Sequence, residues 1–177
     1  MAEQHLNVTL IAHTPEPEKV IAMASRTCYS ALDLEGLDKK TDAADNAAYI
    51  RRVLASGHTS IAEHASFTFG LEGVSRTLLA QITRHRIASF SVRSQRYVSE
   101  KKFGYVTPPQ IAECPEALAL YEDIMERERE AYNKIAALLY EKRVDALPEE
   151  KREDKSALSA QRKIAAEDAR YVLPNGC

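Results

Sequence analysis

Apolar and polar residues alternate or recur with two different periods along this chain, and the periods predict its elements. The β-forming run from Leu6 to Ala12 predicts a first strand. Apolar positions at Phe67, Phe69 and Leu71 alternate with polar or small ones, which predicts a half-buried strand. The stretch from Phe90 to Val98 is predicted to be extended, with alternate side chains on opposite sides.

Helical spacing covers most of the remaining chain. Helices are predicted at residues 18–29, 46–56 (ending at Gly57), 75–83 (with Ser75 as N-cap), 115–142 and 157–171. The longest of them carries an apolar stripe made of Leu118, Tyr121, Met125, Tyr132, Ile135 and Leu139. Two charged stretches, Leu32 to Asp42 and Pro148 to Lys155, are predicted to be loops. Few strands among long helices, not strictly alternating with them, indicate an α+β fold, and 177 residues suit a single domain spanning 1–177.

Composition narrows the class of protein. The formal net charge is −2 at pH 7, so there is no global attraction to nucleic acid or to an anionic membrane. No apolar stretch is long enough to cross a bilayer. Cys28, Cys114 and Cys177 form no paired motif, which favours a reducing cytoplasm over a disulfide framework.

Positive charge is instead concentrated between Arg84 and Val98. This segment holds four arginines and His85 among hydroxyl and amide side chains. Arginine grips phosphate and carbonyl oxygens in pairs and keeps its charge, so the segment indicates a site for a nucleotide or a dinucleotide cofactor. The alternative is a solvated charged face, which is what charge runs usually are.

The sequence also contains residues that suggest two other chemistries, a metal site and a serine nucleophile. His58, Glu63 and His64 lack the spacing of a helical zinc site, so no metal is predicted; His64 fits a core histidine instead. Ser94 could be a nucleophile, but no carboxylate in the segment would orient His85 as its base. Hydrogen bonding of Ser94 to a ligand is therefore preferred.

Three blocks in order carry a family resemblance that runs from about Leu6 to Cys177. Arg84-His85-Arg86 followed after seven residues by Ser94 resembles the signature of the flavin-dependent thymidylate synthases. The blocks from Gly57 to Phe69 and from Ala169 to Asn175 are similar to family blocks before and after it. The family fold is a central, mostly antiparallel sheet with long helices packed on it, and that is the architecture expected here.

The resemblance implies roles for individual residues. FAD would be bound by His58, Ser60, Arg84, His85 and Arg86. Val92 stands where many members carry an acidic residue, so any flavin contact there would come from its backbone. The nucleotide dUMP would be bound by Gln81, Arg84, Ser94, Gln95, Arg96 and Arg170. No catalytic residue is assigned.

The implied reaction is the reductive methylation of dUMP to dTMP, with methylenetetrahydrofolate and NADPH as co-substrates, in a cytoplasmic homotetramer whose subunits share active sites. No cysteine lies in the three blocks, which is consistent with a route that needs no enzyme thiol. Two alternatives stay open: a homologue that methylates another uridine nucleotide, and a non-catalytic nucleotide- or RNA-binding module that uses the Arg84 to Arg96 segment.

Family members continue past the block that ends at Asn175, with a strand, a helix and the arginine thought to activate the pyrimidine. The expectation is that this chain lacks the family's C-terminal portion and, alone, forms dTMP very slowly or not at all.

Overall fold

The computed structural model describes residues 3–96 and 103–177 of the chain. Two strands and seven α-helices follow in the order β1 (Asn7–His13), α1 (Pro17–Thr27), α2 (Leu34–Asp42), α3 (Asn46–Ala55), β2 (Phe67–Glu72), α4 (Arg76–Ile82), α5 (Pro109–Ala112), α6 (Pro115–Asp145) and α7 (Lys155–Ala169). Short 3-10 turns lie at Thr59–His64, Glu149–Lys151 and Arg170–Val172. Helices and strands are mixed, so the prediction of an α+β chain is confirmed.

The chain divides into two compact units, one formed by Asn7–Leu71 and the other by Met1–Leu6 with Glu72–Cys177. That residues 1–177 form a single domain stays a prediction. No helix among residues 3–96 and 103–177 combines the length and the apolar character that a membrane span requires.

In the unit Asn7–Leu71, α1 packs against α2, α3 and the turn Thr59–His64. Ala22 is fully buried at this junction, and the hydroxyls of Ser25 and Tyr49 lie 3.0 Å apart. The guanidinium of Arg26 sits 4.1 Å from the centre of the Tyr49 ring. These contacts hold the three helices together through both apolar and polar groups.

The prediction of a loop between Leu32 and Asp42 is wrong, because α2 occupies most of it. Asp33 caps the helix by accepting a hydrogen bond from the amide of Gly36 at 2.9 Å. Leu37 is only 2 % exposed, and Lys19 of α1 bridges Asp38 and Asp42 at 2.8 and 2.7 Å. Asp38 and Asp42, two of the charged residues that suggested a loop, thus form ion pairs with α1. Hydrogen bonds to these two carboxylates raise the pKa of Lys19 above its ordinary value.

The sheet is smaller and more exposed than expected. Strands β1 and β2 form a two-stranded sheet, with the amide of Thr14 donating to the carbonyl of Ser66 at 2.9 Å. Both strands were predicted correctly. The side chains of Phe67 and Phe69 are about half exposed, however, so the apolar face of β2 is not buried as the prediction of a half-buried strand required. The two-stranded sheet therefore supports the predicted central sheet only loosely.

The unit that includes Glu72–Cys177 is built on two long helices. α6 and α7 pack against each other, with Met125 and Tyr132 buried on α6 and Ala165 and Ala169 buried on α7. All six residues of the predicted α6 stripe are buried or partly buried, which confirms the periodicity. The small alanines let the two helices approach closely. Both helices were predicted with ends within three residues of those observed, and α7 is followed by a 3-10 turn that begins at Arg170.

Candidate functional site

Helix α4 leads directly into the arginine-rich segment. The hydroxyl of Ser75 caps this helix by accepting a hydrogen bond from the amide of Leu78 at 3.1 Å. After Ile82 the chain continues in tight turns, in which the amide of Arg84 donates to the carbonyl of Gln81 at 3.1 Å. The prediction that the Arg-His-Arg triplet sits at the end of a helix is confirmed.

Beyond the triplet the backbone turns sharply. Ile87 has a φ of 61°, in the left-handed region that a β-branched residue rarely adopts, and it is 81 % exposed. Residues 88–94 form neither helix nor strand, and a turn follows at Gln95 and Arg96. The stretch from Phe90 to Val98, predicted to be extended, thus contains no strand up to Ser94 and turns at Gln95 and Arg96, while Tyr97 and Val98 lie outside the described residues.

The triplet is displayed on the surface. Gln81, Arg84, His85 and Arg86 are all exposed, and so is Val92. No Asp or Glu occurs between positions 84 and 96, so the segment carries no carboxylate of its own to neutralise its arginines. An exposed run of donors of this kind fits a ligand rich in phosphate and carbonyl oxygens.

Ser94 and Gln95 are partly buried, unlike the residues before them. The hydroxyl of Ser94 accepts a hydrogen bond from the amide of Arg96 at 3.2 Å, which closes the turn. The side-chain amide of Gln95 donates to the sulfur of Cys177 at 3.6 Å, and that thiol donates to the carbonyl of Pro174 at 3.0 Å. Cys177 is outside the three sequence blocks, yet the fold brings it to the signature.

The segment Pro174–Cys177 fastens the beginning of α4. The carbonyls of Cys177 and Asn175 accept from the amides of Arg76 and Thr77 at 3.1 and 3.3 Å. These bonds satisfy amide groups that a helix leaves unpaired in its first turn. A Cβ at Gly176 would run into the Tyr121 hydroxyl, so a side chain there would displace the end of Tyr121.

The side chain of Arg76 also makes a hydrogen bond to the backbone of the signature segment. Its guanidinium donates to the carbonyl of Arg93 at 3.3 Å, one residue before Ser94. The sequence did not single out Arg76, because it stands eight residues before the triplet and reads as an ordinary polar residue at the start of a helix.

An ion pair joins the signature to α7. Nε of Arg96 lies 2.9 Å from Oε1 of Glu167, and Glu167 is three residues before Arg170. Residues three apart on a helix are neighbours on its surface, so this contact brings Arg96 to the helix face that carries Arg170. Glu167 was also missed from the sequence, although its spacing from Arg170 could have indicated a shared site.

His58 and Ser60 belong to the unit Asn7–Leu71, whereas the other predicted site residues belong to the second unit. Gly57 adopts a φ of 91° before them, and both side chains are exposed at the start of the turn Thr59–His64. His64 is exposed too, so its interpretation as a core histidine is wrong. Within residues 3–96 and 103–177, no three His, Cys, Asp or Glu side chains come together as metal ligands would.

The predicted residues line neither of two cavities described in the second unit. A cavity of about 390 Å³ lies beside the first turn of α4, between Ser75, Tyr121 and Asn175. Burial raises the pKa of the Tyr121 phenol, which therefore stays protonated and donates to the carbonyl of Val106 at 2.8 Å. A shallower cleft of about 720 Å³ lies between α6 and the turn at Tyr171. The candidate site is thus an open surface formed by residues 81–96 and the end of α7.

A family model described as thymidylate synthase complementing protein matches residues 9–177. The chain belongs to this family. The resemblance inferred from the three sequence blocks is confirmed.

Several curated relatives of this family member carry the name flavin-dependent thymidylate synthase. The protein of Clostridium tetani is 40% identical over 97% of this chain, and that of Nitratidesulfovibrio vulgaris is 43% identical over 94%. The matches cover 66% and 64% of those two relatives, so the chain spans a little under two thirds of their length.

A solved structure shares the fold of this family member. The crystal structure of a UMP/dUMP methylase, PolB, from Streptomyces cacaoi bound with 5-Br dUMP superposes with a TM-score of 0.63 and 20% sequence identity. The match covers 98% of this chain and 69% of that one. At this level of identity the likeness speaks for the fold alone.

Proposed function

We propose that the protein is a flavin-dependent thymidylate synthase that methylates dUMP to dTMP. The observation that supports this most directly is the run of donor side chains from Arg84 to Arg96, which contains no carboxylate. Arg96 of this run is joined by an ion pair with Glu167 to the helix face that carries Arg170. The names of the relatives support the reaction. The methylase of similar fold carries a brominated dUMP, which agrees with dUMP as the substrate.

Arg84, His85 and Arg86 are the proposed FAD contacts, together with His58 and Ser60 of the other unit. The donor set fits the cofactor, because exposed cationic and N–H donors suit a diphosphate and the carbonyl edge of a flavin. FAD, when bound, supplies the hydride for the reaction. Cationic side chains at the flavin carbonyls would stabilise the negative charge of its reduced form. Val92 can take part only through its backbone.

Gln81, Ser94, Gln95, Arg96 and Arg170 are the proposed dUMP contacts, shared with Arg84. A side-chain amide such as that of Gln81 offers both a donor and an acceptor, as the edge of a uracil requires. The two arginines suit the phosphate, since a guanidinium binds phosphate oxygens in pairs. Methylenetetrahydrofolate and NADPH are the proposed co-substrates, and a homotetramer with shared sites is the proposed assembly.

The test is formation of dTMP from dUMP, methylenetetrahydrofolate, NADPH and FAD, followed by mass spectrometry, with the Clostridium tetani relative as positive control. We expect a small yield of methylated product that requires FAD. UMP is offered in a parallel reaction, and its preferential methylation would favour another uridine nucleotide. Binding of oligonucleotides that weakens steeply with salt, with no flavin bound, would instead indicate an RNA-binding module.

Cys177 supplies a second arm of the same test, because the structure places its sulfur beside Gln95. Cys177→Ser keeps a donor for the Pro174 carbonyl and removes the thiol. The proposed flavin route needs no enzyme nucleophile, so we expect the variant to form dTMP at the parent's rate. Complete loss of product with unchanged FAD binding would argue for thiol attack on the pyrimidine and against this route.

A further inference from the structure

The ion pair between Arg96 and Glu167 connects two parts of the chain that are 71 residues apart in sequence. The Arg96 side chain is 47% exposed and that of Glu167 is 35% exposed, so solvent and ligands reach the pair. An ion pair of this exposure contributes little to folding stability, because solvent screens it and both side chains lose freedom. The more important consequence of the ion pair is that it fixes the direction in which the Arg96 guanidinium points.

Nε of Arg96 is the nitrogen that lies 2.9 Å from Oε1 of Glu167. A guanidinium is planar, so a partner fixed at Nε sets the plane of the whole group and aims its opposite edge. The other end of the residue is fixed too, since its backbone amide donates to the Ser94 hydroxyl at 3.2 Å. Arg96 is thus held at its backbone amide and at its guanidinium.

The place to which Arg96 is held is equally specific. Glu167 lies in the last turn of α7, and Arg170 begins the 3-10 turn that follows it. Because positions three apart are neighbours on a helix, a guanidinium bound to Glu167 stands beside the base of the Arg170 side chain. The ion pair therefore places Arg96 near the helix end that carries Arg170.

We propose that Glu167 is a positioning residue for the nucleotide phosphate: its carboxylate orients Arg96 so that Arg96 and Arg170 bind one phosphate monoester together. The inference rests on the proposed function, in which dUMP is the substrate. A carboxylate near a phosphate also repels it, but the pair is half exposed and salt screens that repulsion. Orientation of Arg96 therefore outweighs the loss of positive charge.

Calorimetric titration with dUMP separates orientation from charge. Glu167→Ala removes the acceptor, and we expect it to weaken dUMP binding by about 10-fold, the equivalent of ~1.4 kcal/mol. Glu167→Gln keeps a carbonyl oxygen that accepts from Nε, so its affinity should stay within about 3-fold of the parent's. FAD affinity should be unchanged in both variants.

Asp168→Ala is the matched control. Asp168 is the next acidic residue of α7, and it pairs with Arg143 of α6 at 3.0 Å instead of with the signature. The control loses an ion pair of similar exposure, and we expect parental dUMP affinity. Equal affinity of Glu167→Ala and the parent, or tighter binding by Glu167→Gln, would overturn the proposal, and so would equal weakening by Asp168→Ala.

A measurement without nucleotide keeps this inference separate from the proposed function. In protein labelled with ¹⁵N-arginine, the Nε–H signal of Arg96 is identified by its absence in Arg96→Lys. We expect slow hydrogen exchange of this group in the parent and in Glu167→Gln and fast exchange in Glu167→Ala. Unchanged exchange would refute the positioning of Arg96, whereas protected exchange in a parent that fails to bind dUMP would refute the nucleotide as ligand.

Discussion

Arg96 is the residue whose surroundings say most about the site. It lies between the turn at Ser94 and the carboxylate of Glu167, and it is part of the only stretch of the sequence in which four arginines fall within 13 residues. Arg84 and Arg86 lie at the other end of the same segment and are exposed as well. The two ends of the segment therefore suit different parts of a composite site: the triplet for the cofactor and Arg96 for the nucleotide.

Arg96→Ala tests this division of roles. Truncating one partner of a hydrogen-bonded charge pair costs about 2–5 kcal/mol where the pair is desolvated by the ligand, so dUMP affinity should fall at least ~30-fold. FAD affinity should stay within experimental error. Both are measured by calorimetry. Arg127→Ala, which removes an exposed α6 arginine paired with Asp123, is the control and should change neither. An Arg96→Ala variant with parental dUMP affinity would show that the division is wrong.

Helix α4 is the element that delivers the triplet. Its first turn is held by the Ser75 cap and by the carbonyls of Asn175 and Cys177, and its last turn passes into the turns at Arg84 and His85. At seven residues it is too short to be stable on its own, so these contacts fix its direction.

We expect Ser75→Ala to lower the free energy of unfolding by about 1 kcal/mol, because the Leu78 amide loses its acceptor. Denaturant unfolding monitored by circular dichroism measures it. Ser159→Ala, at an exposed position inside α7, is the matched control and should be neutral or slightly stabilising. If the two substitutions have the same effect, the cap does not hold α4.

Elements with a clear period or cap could be predicted from the sequence, as α4, α6 and both strands show. The helix α2 could not, because its only buried apolar residue is Leu37 and its charges bond to Lys19 of another helix. The path of residues 87–96 could not either, since it depends on contacts with Arg76, Glu167 and Cys177 that are distant in sequence. The sequence motif identified the candidate site residues, whereas the contacts that hold them in place could be identified only from the fold.

At the scale of the whole molecule, the small sheet leaves much apolar surface in contact with solvent. His13, Phe67 and Phe69 stack in a row with ring centres 6.2 and 6.3 Å apart, and Val8 and Leu10 of β1 are also about half exposed. Apolar patches of this kind on a soluble protein usually mark a contact with another chain. The proposed homotetramer would provide such a contact.

Light scattering after size exclusion tests the assembly. We expect a mass above the 19.8 kDa of one chain, and a lower mass for Phe69→Glu, because a charge on the exposed row would have to be buried. Leu34→Glu changes a leucine at the start of α2 that is more exposed than Phe69 and should leave the mass unchanged. A parent that elutes as a monomer would contradict the proposed assembly.

Binding of FAD is the most direct test of the central claim, that the exposed segment from Arg84 to Arg96 belongs to a flavin enzyme. Titration of the protein into FAD, followed by flavin fluorescence, should give a saturable change with one FAD per chain. The double variant Arg84→Ala/Arg86→Ala should lose it, and Arg127→Ala should keep it. A parent protein that produces no saturable change in flavin fluorescence would contradict the account.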